Sequence, residues 1–306
     1  MTHNACRPDR AVRDVRRWLL TGLVVCGLGA AGASTASAAP TGNTGTTGST
    51  AATGATGTTP AVNPAPSSNW AGYDISGATG RVRNFKRVAA SWVQPTATCT
   101  PGSSTYSAFW VGLGGISQSS KKLEQTGTEA DCDANGAAHY FAWYELVPAG
   151  PVTVKLAIAP GDSVSASVAV HGAYVTMALT DETTGQSISK RLHFPAANLS
   201  SAEWIAEAPS NCAQSCRALP LTNFGTVNFA AASVETGDGR TGSILNPDWS
   251  AQAIALNDRS AALGGGRFFG PPEIDTAFPT AIDSTGSAFA VTWAQEDLVA
   301  SPAAAG

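Results

Sequence analysis

From about residue 150 onward, apolar and polar positions alternate with a period of two. Val152, Val154, Leu156 and Ile158 interleave with Thr153, Lys155 and Ala157, and Val164, Ala166, Val168 and Val170 interleave with Ser165, Ser167 and Ala169. Val175, Met177 and Leu179 continue the pattern. Pro160-Gly161-Asp162, His171-Gly172 and Asp181–Gly185 punctuate these runs, the last before Ile188, Leu192 and Phe194. Successive side chains of a strand point to opposite faces, so a period of two marks strands with one face in a core. Turn signals at short, even spacing join such strands into antiparallel hairpins. After residue 66 no stretch carries a persuasive helical period, and nothing alternates strand with helix as a parallel α/β sheet requires. The pattern predicts an all-β protein, an antiparallel sandwich or barrel.

The first 66 residues are of another kind. Arg7, Arg10, Arg13, Arg16 and Arg17 form a basic segment, Trp18 to about Ala33 an apolar one, and Ala36-Ser37-Ala38 a small-residue cleavage site. Residues 1–38 therefore read as a secretory signal peptide, and the mature protein as extracellular, with no membrane attachment after cleavage. Residues 39–66 are almost entirely Gly, Thr, Ala, Ser, Asn and Pro, without a charge or an aromatic ring. Such a composition cannot bury enough apolar area to offset the entropy of ordering, so they read as a disordered linker or short pro-segment. The folded domain is expected over 67–306.

Charge narrows the function classes. Removing the signal leaves 13 basic against 20 acidic residues, a net charge of about −7. A nucleic-acid surface needs clustered Lys and Arg, so that class is excluded. Cys99, Cys132, Cys212 and Cys216 remain, an even number in an exported chain, which favours disulfides. Of the three pairings, Cys99–Cys132 with Cys212–Cys216 is favoured, the second because its short loop costs little to close. There is no CxxC and no His beside either pair, so a metal site is not expected.

Common hydrolase devices are missing: no GxSxG elbow, no HExxH, no phosphate loop, no dinucleotide fingerprint. What remains is polar chemistry inside aromatic-rich strands. The stretches are Ser68-Asn69-Trp70-Ala71-Gly72, Phe109–Gly115, Leu123-Glu124-Gln125-Thr126-Gly127, Tyr140–Glu145 and Ala202-Glu203-Trp204-Ile205-Ala206-Glu207. On a strand, Glu203, Ile205 and Glu207 share one face, with the two carboxylates about 13 Å apart along the backbone. They cannot form a close carboxylate dyad, and a catalytic partner for either has to come from another strand.

In this order the stretches resemble the glutamic peptidases (eqolisins), as a secreted member of bacterial type. The resemblance rests on Asn69-Trp70-Ala71-Gly72, Trp110–Gly115, Gln125-Thr126-Gly127, Trp143-Tyr144-Glu145 before Pro148, Gly161-Asp162 and Ala202–Glu207. It implies a two-sheet antiparallel β-sandwich of jelly-roll or lectin-like form and an acid endopeptidase that acts on proteins or peptides without cofactor or metal, as a monomer. By position, Gln125 and Glu207 would be catalytic, and Trp70, Trp110 and Glu145 would line the cleft. Glu203 is read as structural and Asp162 as a turn residue. Gly114 and Phe141 stand where fungal members carry Asp, and Val147 where they carry a cleft Tyr. A Glu base suits acid, where His would be protonated, and a Gln amide donates a hydrogen bond at any acidity. Two other readings stay open: a sandwich glycoside hydrolase using Glu145 with Glu207, and a non-catalytic carbohydrate-binding module whose tryptophans stack on sugars.

Overall fold

The computed structural model describes residues 60–61, 63–77, 84–116, 122–211, 217–257 and 273–297, and these contain strands and no helix. In chain order the strands are β1 (Ala65–Ser67), β2 (Trp70–Gly77), β3 (Phe85–Val93), β4 (Ala108–Leu113), β5 (Leu123–Cys132), β6 (Ala138–Val147), β7 (Val152–Val154), β8 (Ser163–His171) and β9 (Tyr174–Asp181). There follow β10 (Gln186–His193), β11 (Ser201–Glu207), β12 (Ser210–Asn211), β13 (Arg217–Ala218), β14 (Thr226–Thr236), β15 (Thr241–Gly242), β16 (Trp249–Leu256), β17 (Glu273–Pro279) and β18 (Phe289–Asp297).

The main path of hydrogen-bonded neighbours runs β10-β9-β8-β3-β14-β18-β17-β16-β2-β11-β4-β5-β6-β7, with β12 and β13 paired separately. The path folds back at the β16–β17 step, where Leu256 pairs with Ala277. Its two halves then lie face to face as an antiparallel sandwich. Hydrogen bonds cross between the layers: Trp92 Nε1 of β3 donates to Thr128 Oγ1 of β5 at 3.0 Å, and Trp204 Nε1 of β11 to the Ala89 carbonyl of β3 at 3.0 Å. Tyr73 of β2 meets Phe289 of β18 edge-on at 4.8 Å. The indole N–H groups of Trp92 and Trp204 thus find acceptors in the opposite layer, as burial of a polar group demands.

Alternation is clean where one face meets the core: β8 and β9 place Val164, Val168, Val175, Met177 and Leu179 inward. The strand expected over 152–158 ends at Val154, with Val152 exposed, while Leu156 and Ile158 are buried without strand pairing. A two-residue period measures which side chains are covered, and a loop lying on the core satisfies it too.

The other half behaves differently. Every residue of β4 and β11 is buried, so both faces are covered. Phe109, Val111, Ala202 and Trp204 join the inter-layer core, while Trp70, Trp110, Trp143 and Ile205 form a second apolar cluster on the opposite face.

The expected boundary at residue 67 needs moving. Ala65 and Pro66 belong to β1, which pairs in parallel with β16, and Pro60 bridges Thr280. Composition underestimates this segment because an available strand edge offers backbone hydrogen bonds that need no apolar side chain. The expected signal peptide over 1–38 and residues 39–59 lie outside the described residues.

Cys99 and Cys132 form a disulfide, tying the segment after β3 to the end of β5. Cys212 and Cys216 lie outside the described residues. Closing a loop of sequence separation 33 is worth ~3–4 kcal/mol in the chain-entropy account. Replacing both Cys99 and Cys132 by Ser is expected to lower unfolding free energy by about that amount in urea titration; a loss below about 1 kcal/mol would show that the unfolded chain is already constrained there.

Candidate active site

Direct cross-strand partners share a face of the sheet, so the register sorts the candidate residues into lines. One line runs Asp74, Glu203, Gly112, Gln125, Glu145 across β2, β11, β4, β5 and β6. The next is Gly72, Ile205, Trp110, Gly127, Trp143, and the third Trp70, Glu207, Ala108, Glu129, Phe141. All five residues expected in the site, Trp70, Trp110, Gln125, Glu145 and Glu207, therefore project from one face, the one turned away from the inter-layer core. All five are at most 1% exposed. The tryptophans are buried as well, which removes the exposed aromatic row that a carbohydrate-binding module would need.

Two groupings form within the face. Gln125 Nε2 donates to Glu145 Oε2 at 2.6 Å. Glu207 Oε2 accepts the indole N–H of Trp110 at 2.8 Å, and its Oε1 accepts from Asn69 Nδ2 at 3.3 Å. Trp70 meets Trp110 edge-on at 5.0 Å. Gln125 is level with Glu203; Glu207 lies two lines away, and the Trp110 ring occupies the line between.

The motif glycines clear the space for that ring. A Cβ at Gly127 would stand 2.7 Å from Trp110 Cβ and 2.0 Å from the Phe109 carbonyl oxygen. One at Gly112 would stand 2.9 Å from Trp110 Cζ3 and 3.3 Å from Gln125 Cβ. Both contacts at Gly127 are closer than real Cβ atoms approach. The indole thus reaches from the Glu207 carboxylate to the flank of Gln125. Thr126, between the two functional motif positions, faces the other way and donates to the Trp143 carbonyl at 2.7 Å.

Position 114 is closed to a side chain. Gly114 has φ +92°, and a Cβ there would lie 2.7 Å from Asn198 Cβ and 2.8 Å from the Lys122 carbonyl oxygen. The Asp of fungal members has no room in this chain. Asp162 serves its turn as expected, accepting the Ala159 N–H at 2.7 Å.

The remaining acids of this layer are held out of water. Burial pushes Glu203 well above the ordinary carboxylate range, opposed by the Ser201 hydroxyl and reinforced by Asp74 and Glu124. Burial also raises Asp74 to about 7, and Glu124 to about 8 against the pull of the Asn198 N–H and Lys122. In acid these three are neutral. Asn69, Asp74 and Glu124 carry no role in the sequence reading. For Asp74 the readable signal is a carboxyl group among the aromatic and apolar residues of β2; Glu124, in the polar run of β5, has no such signal.

The sequence model of the peptidase A4 family matches residues 68–257, a span that includes every residue of the two groupings. The chain belongs to the peptidase A4 family. This is the glutamic peptidase family that the motifs resemble, and its members are peptide-bond hydrolases. Among solved structures, the chain is similar to scytalido-glutamic peptidase with a transition-state analogue inhibitor, at 24% identity and TM-score 0.54, over 74% of this chain and 98% of that one. A second structure of that enzyme, with a peptide-based analogue, gives 22% identity and TM-score 0.52 with the same coverage. These likenesses are of fold. No curated protein matches the chain.

The buried acids of this A4 peptidase fix the sign of its pH dependence. Asp74, Glu124 and Glu203 bind protons more tightly folded than unfolded, so their contribution is full below about pH 4; that of Asp74 and Glu124 is lost as pH rises through about 7 and 8, and that of Glu203 is lost in the same direction. Asp133 and Asp238, lowered to about 2 by the Ala137 N–H and by Arg240 respectively, act oppositely, and their contribution is lost as pH falls toward 2. The melting temperature is expected to peak near about pH 4–5 and to fall toward pH 8. Asp74→Asn should flatten the descent between about pH 4 and 7; a melting temperature higher at pH 8 than at pH 5 would contradict the assignment.

Proposed function

We propose that the protein is a secreted acid endopeptidase in which Glu207 is the general base and acid and Gln125 supplies the oxyanion contact. The observation that carries the reading is the setting of Glu207: one N–H donor on each carboxylate oxygen, Trp110 and Asn69, on a face where Asp74 and Glu203 are pushed to the neutral form. A base must be ionised at the working pH, and hydrogen bonds to a carboxylate favour its ionised form. Glu203, although level with Gln125, is kept neutral in acid by its burial and cannot take a proton from water there.

In the proposed reaction the Glu207 carboxylate removes a proton from a water molecule as its oxygen bonds to the scissile carbonyl carbon. The carbonyl electron pair moves to oxygen, and the Gln125 amide donates a hydrogen bond to that oxyanion, a contact worth about 3–4 kcal/mol. On collapse the C–N bond breaks, and Glu207 returns its proton to the departing amine. Glu145 engages one hydrogen of the Gln125 NH2 group, which orients the amide and leaves its second hydrogen to give. Trp70 and Trp110 pack edge to face beside Glu207 and form the apolar backing of the proposed site. Export is supported by the Arg-rich segment, apolar run and Ala36-Ser37-Ala38 site.

With a denatured protein as substrate, Glu207→Gln is expected to abolish hydrolysis at pH 3–5 while melting near wild type. Glu203→Gln should stay within about tenfold of wild type, and Gln125→Ala should lose at least about 10²-fold in kcat. A metal chelator should change nothing. Activity retained by Glu207→Gln but lost in Glu203→Gln would move the base to Glu203.

A further inference from the structure

Asn69 sits at the bend before β2 and is wholly buried. Its main chain is pinned on both sides. The Ser67 Oγ of β1 accepts the N–H of Asn69 at 3.4 Å and of Trp70 at 3.1 Å, and the Asn69 carbonyl accepts the Ala208 N–H at 2.8 Å, one residue past Glu207. From this fixed base Nδ2 reaches Glu207 Oε1 at 3.3 Å and Ser210 Oγ at 3.5 Å. Trp110 holds the other carboxylate oxygen. With a donor on each oxygen, from two different elements, the carboxylate is restrained in rotation as well as in place.

The residue type suits the task. An amide presents N–H groups without a titrating proton, so its support does not vary with acidity. It adds no positive charge, which would stabilise the carboxylate at the expense of its basicity. The titratable groups of the same face are Asp74 on β2, Glu203 on β11, Glu129 and Asp131 on β5, and Glu145 and His139 on β6. The carboxyls among them, when charged, oppose ionisation of Glu207, and His139 at the far end of the face is engaged by Asp133 at 3.2 Å.

We propose that Asn69 is a positioning residue of the peptidase reaction, its side-chain amide fixing the Glu207 carboxylate and keeping it ionised in acid. The inference rests on Glu207 being the base, and the experiment separates the two. Asn69→Ala, Asn69→Asp and Glu207→Gln are compared with wild type in kcat and KM from pH 2.5 to 7, alongside melting temperature. Asn69→Ala is expected to lose about tenfold or more in kcat at pH 3–4 with little change in KM, as loss of a hydrogen bond to a charged group implies. The acid limb of its pH profile should move to higher pH. Asn69→Asp keeps the shape of the side chain, so it preserves the packing if the Ala variant does not fold; its activity should fall further as pH rises and the new carboxyl ionises. An acid limb unmoved in the folded Asn69 variants, with Glu207→Gln inactive, overturns the role of Asn69 and leaves Glu207 standing, whether or not the melting temperature drops. An active Glu207→Gln overturns the reading beneath it.

Discussion

The outer face of the sheet is organised around one indole. Trp110 occupies the middle line of the face, gives its N–H to Glu207 and extends its far edge over Gly112 toward Gln125. That position exists because Gly112 and Gly127 lack side chains on either side of it. The Gln-Thr-Gly and Trp-Val-Gly motifs therefore describe one packing solution from two strands. Gln125 brings chemistry, Thr126 ties β5 to β6 from the core side, and Gly127 supplies clearance. A bulkier residue at Gly127 would meet the backbone of β4 before it met the ring, so the constraint is steric before it is catalytic.

Burial on both faces sets the electrostatics. Most sandwich strands turn one face to water, and their carboxylates stay ionised there. In β2 and β11 the polar face is also enclosed, so Asp74 and Glu203 resist ionisation, while Glu207, furnished with N–H donors, is placed differently. Neutral neighbours suit the proposed acid peptidase, since they remove like charge from the surroundings of Glu207. The same enclosure makes each N–H···carboxylate bond stronger than it would be in water.

The sequence discloses these features unequally. β8 and β9 are readable from alternation because Val164, Val168, Val175 and Leu179 face a core while Ser165, Ser167 and Thr180 do not. β4 and β11 show no such contrast, since both faces are buried; they were legible through Trp110 and Glu207 in ordered motifs. Asn69 stood inside a recognised motif, yet its bond to Glu207 spans 138 positions, and no local pattern reports such a contact. Asp74 could be read as an acid in an apolar strand but not as the cross-strand partner of Glu203, which depends on register. β1 was hidden by composition: Ala, Pro and Ser say little about an edge that is satisfied through the main chain.

Strand β1 also ties the N-terminal boundary to the chemistry. Ser67 closes β1 and, through its hydroxyl, holds the bend that presents Asn69 and Trp70. Trimming of the chain upstream is therefore not neutral everywhere. A cut before Pro60 spares the pairing of Ala65 and Pro66 with β16, whereas a cut at the compositional edge, after Pro66, would leave Ser67 as a free amino terminus with a mobile hydroxyl and a new positive charge two residues from the amide that touches Glu207. The surroundings of Glu207 thereby limit where the chain upstream of β1 can be cut without consequence.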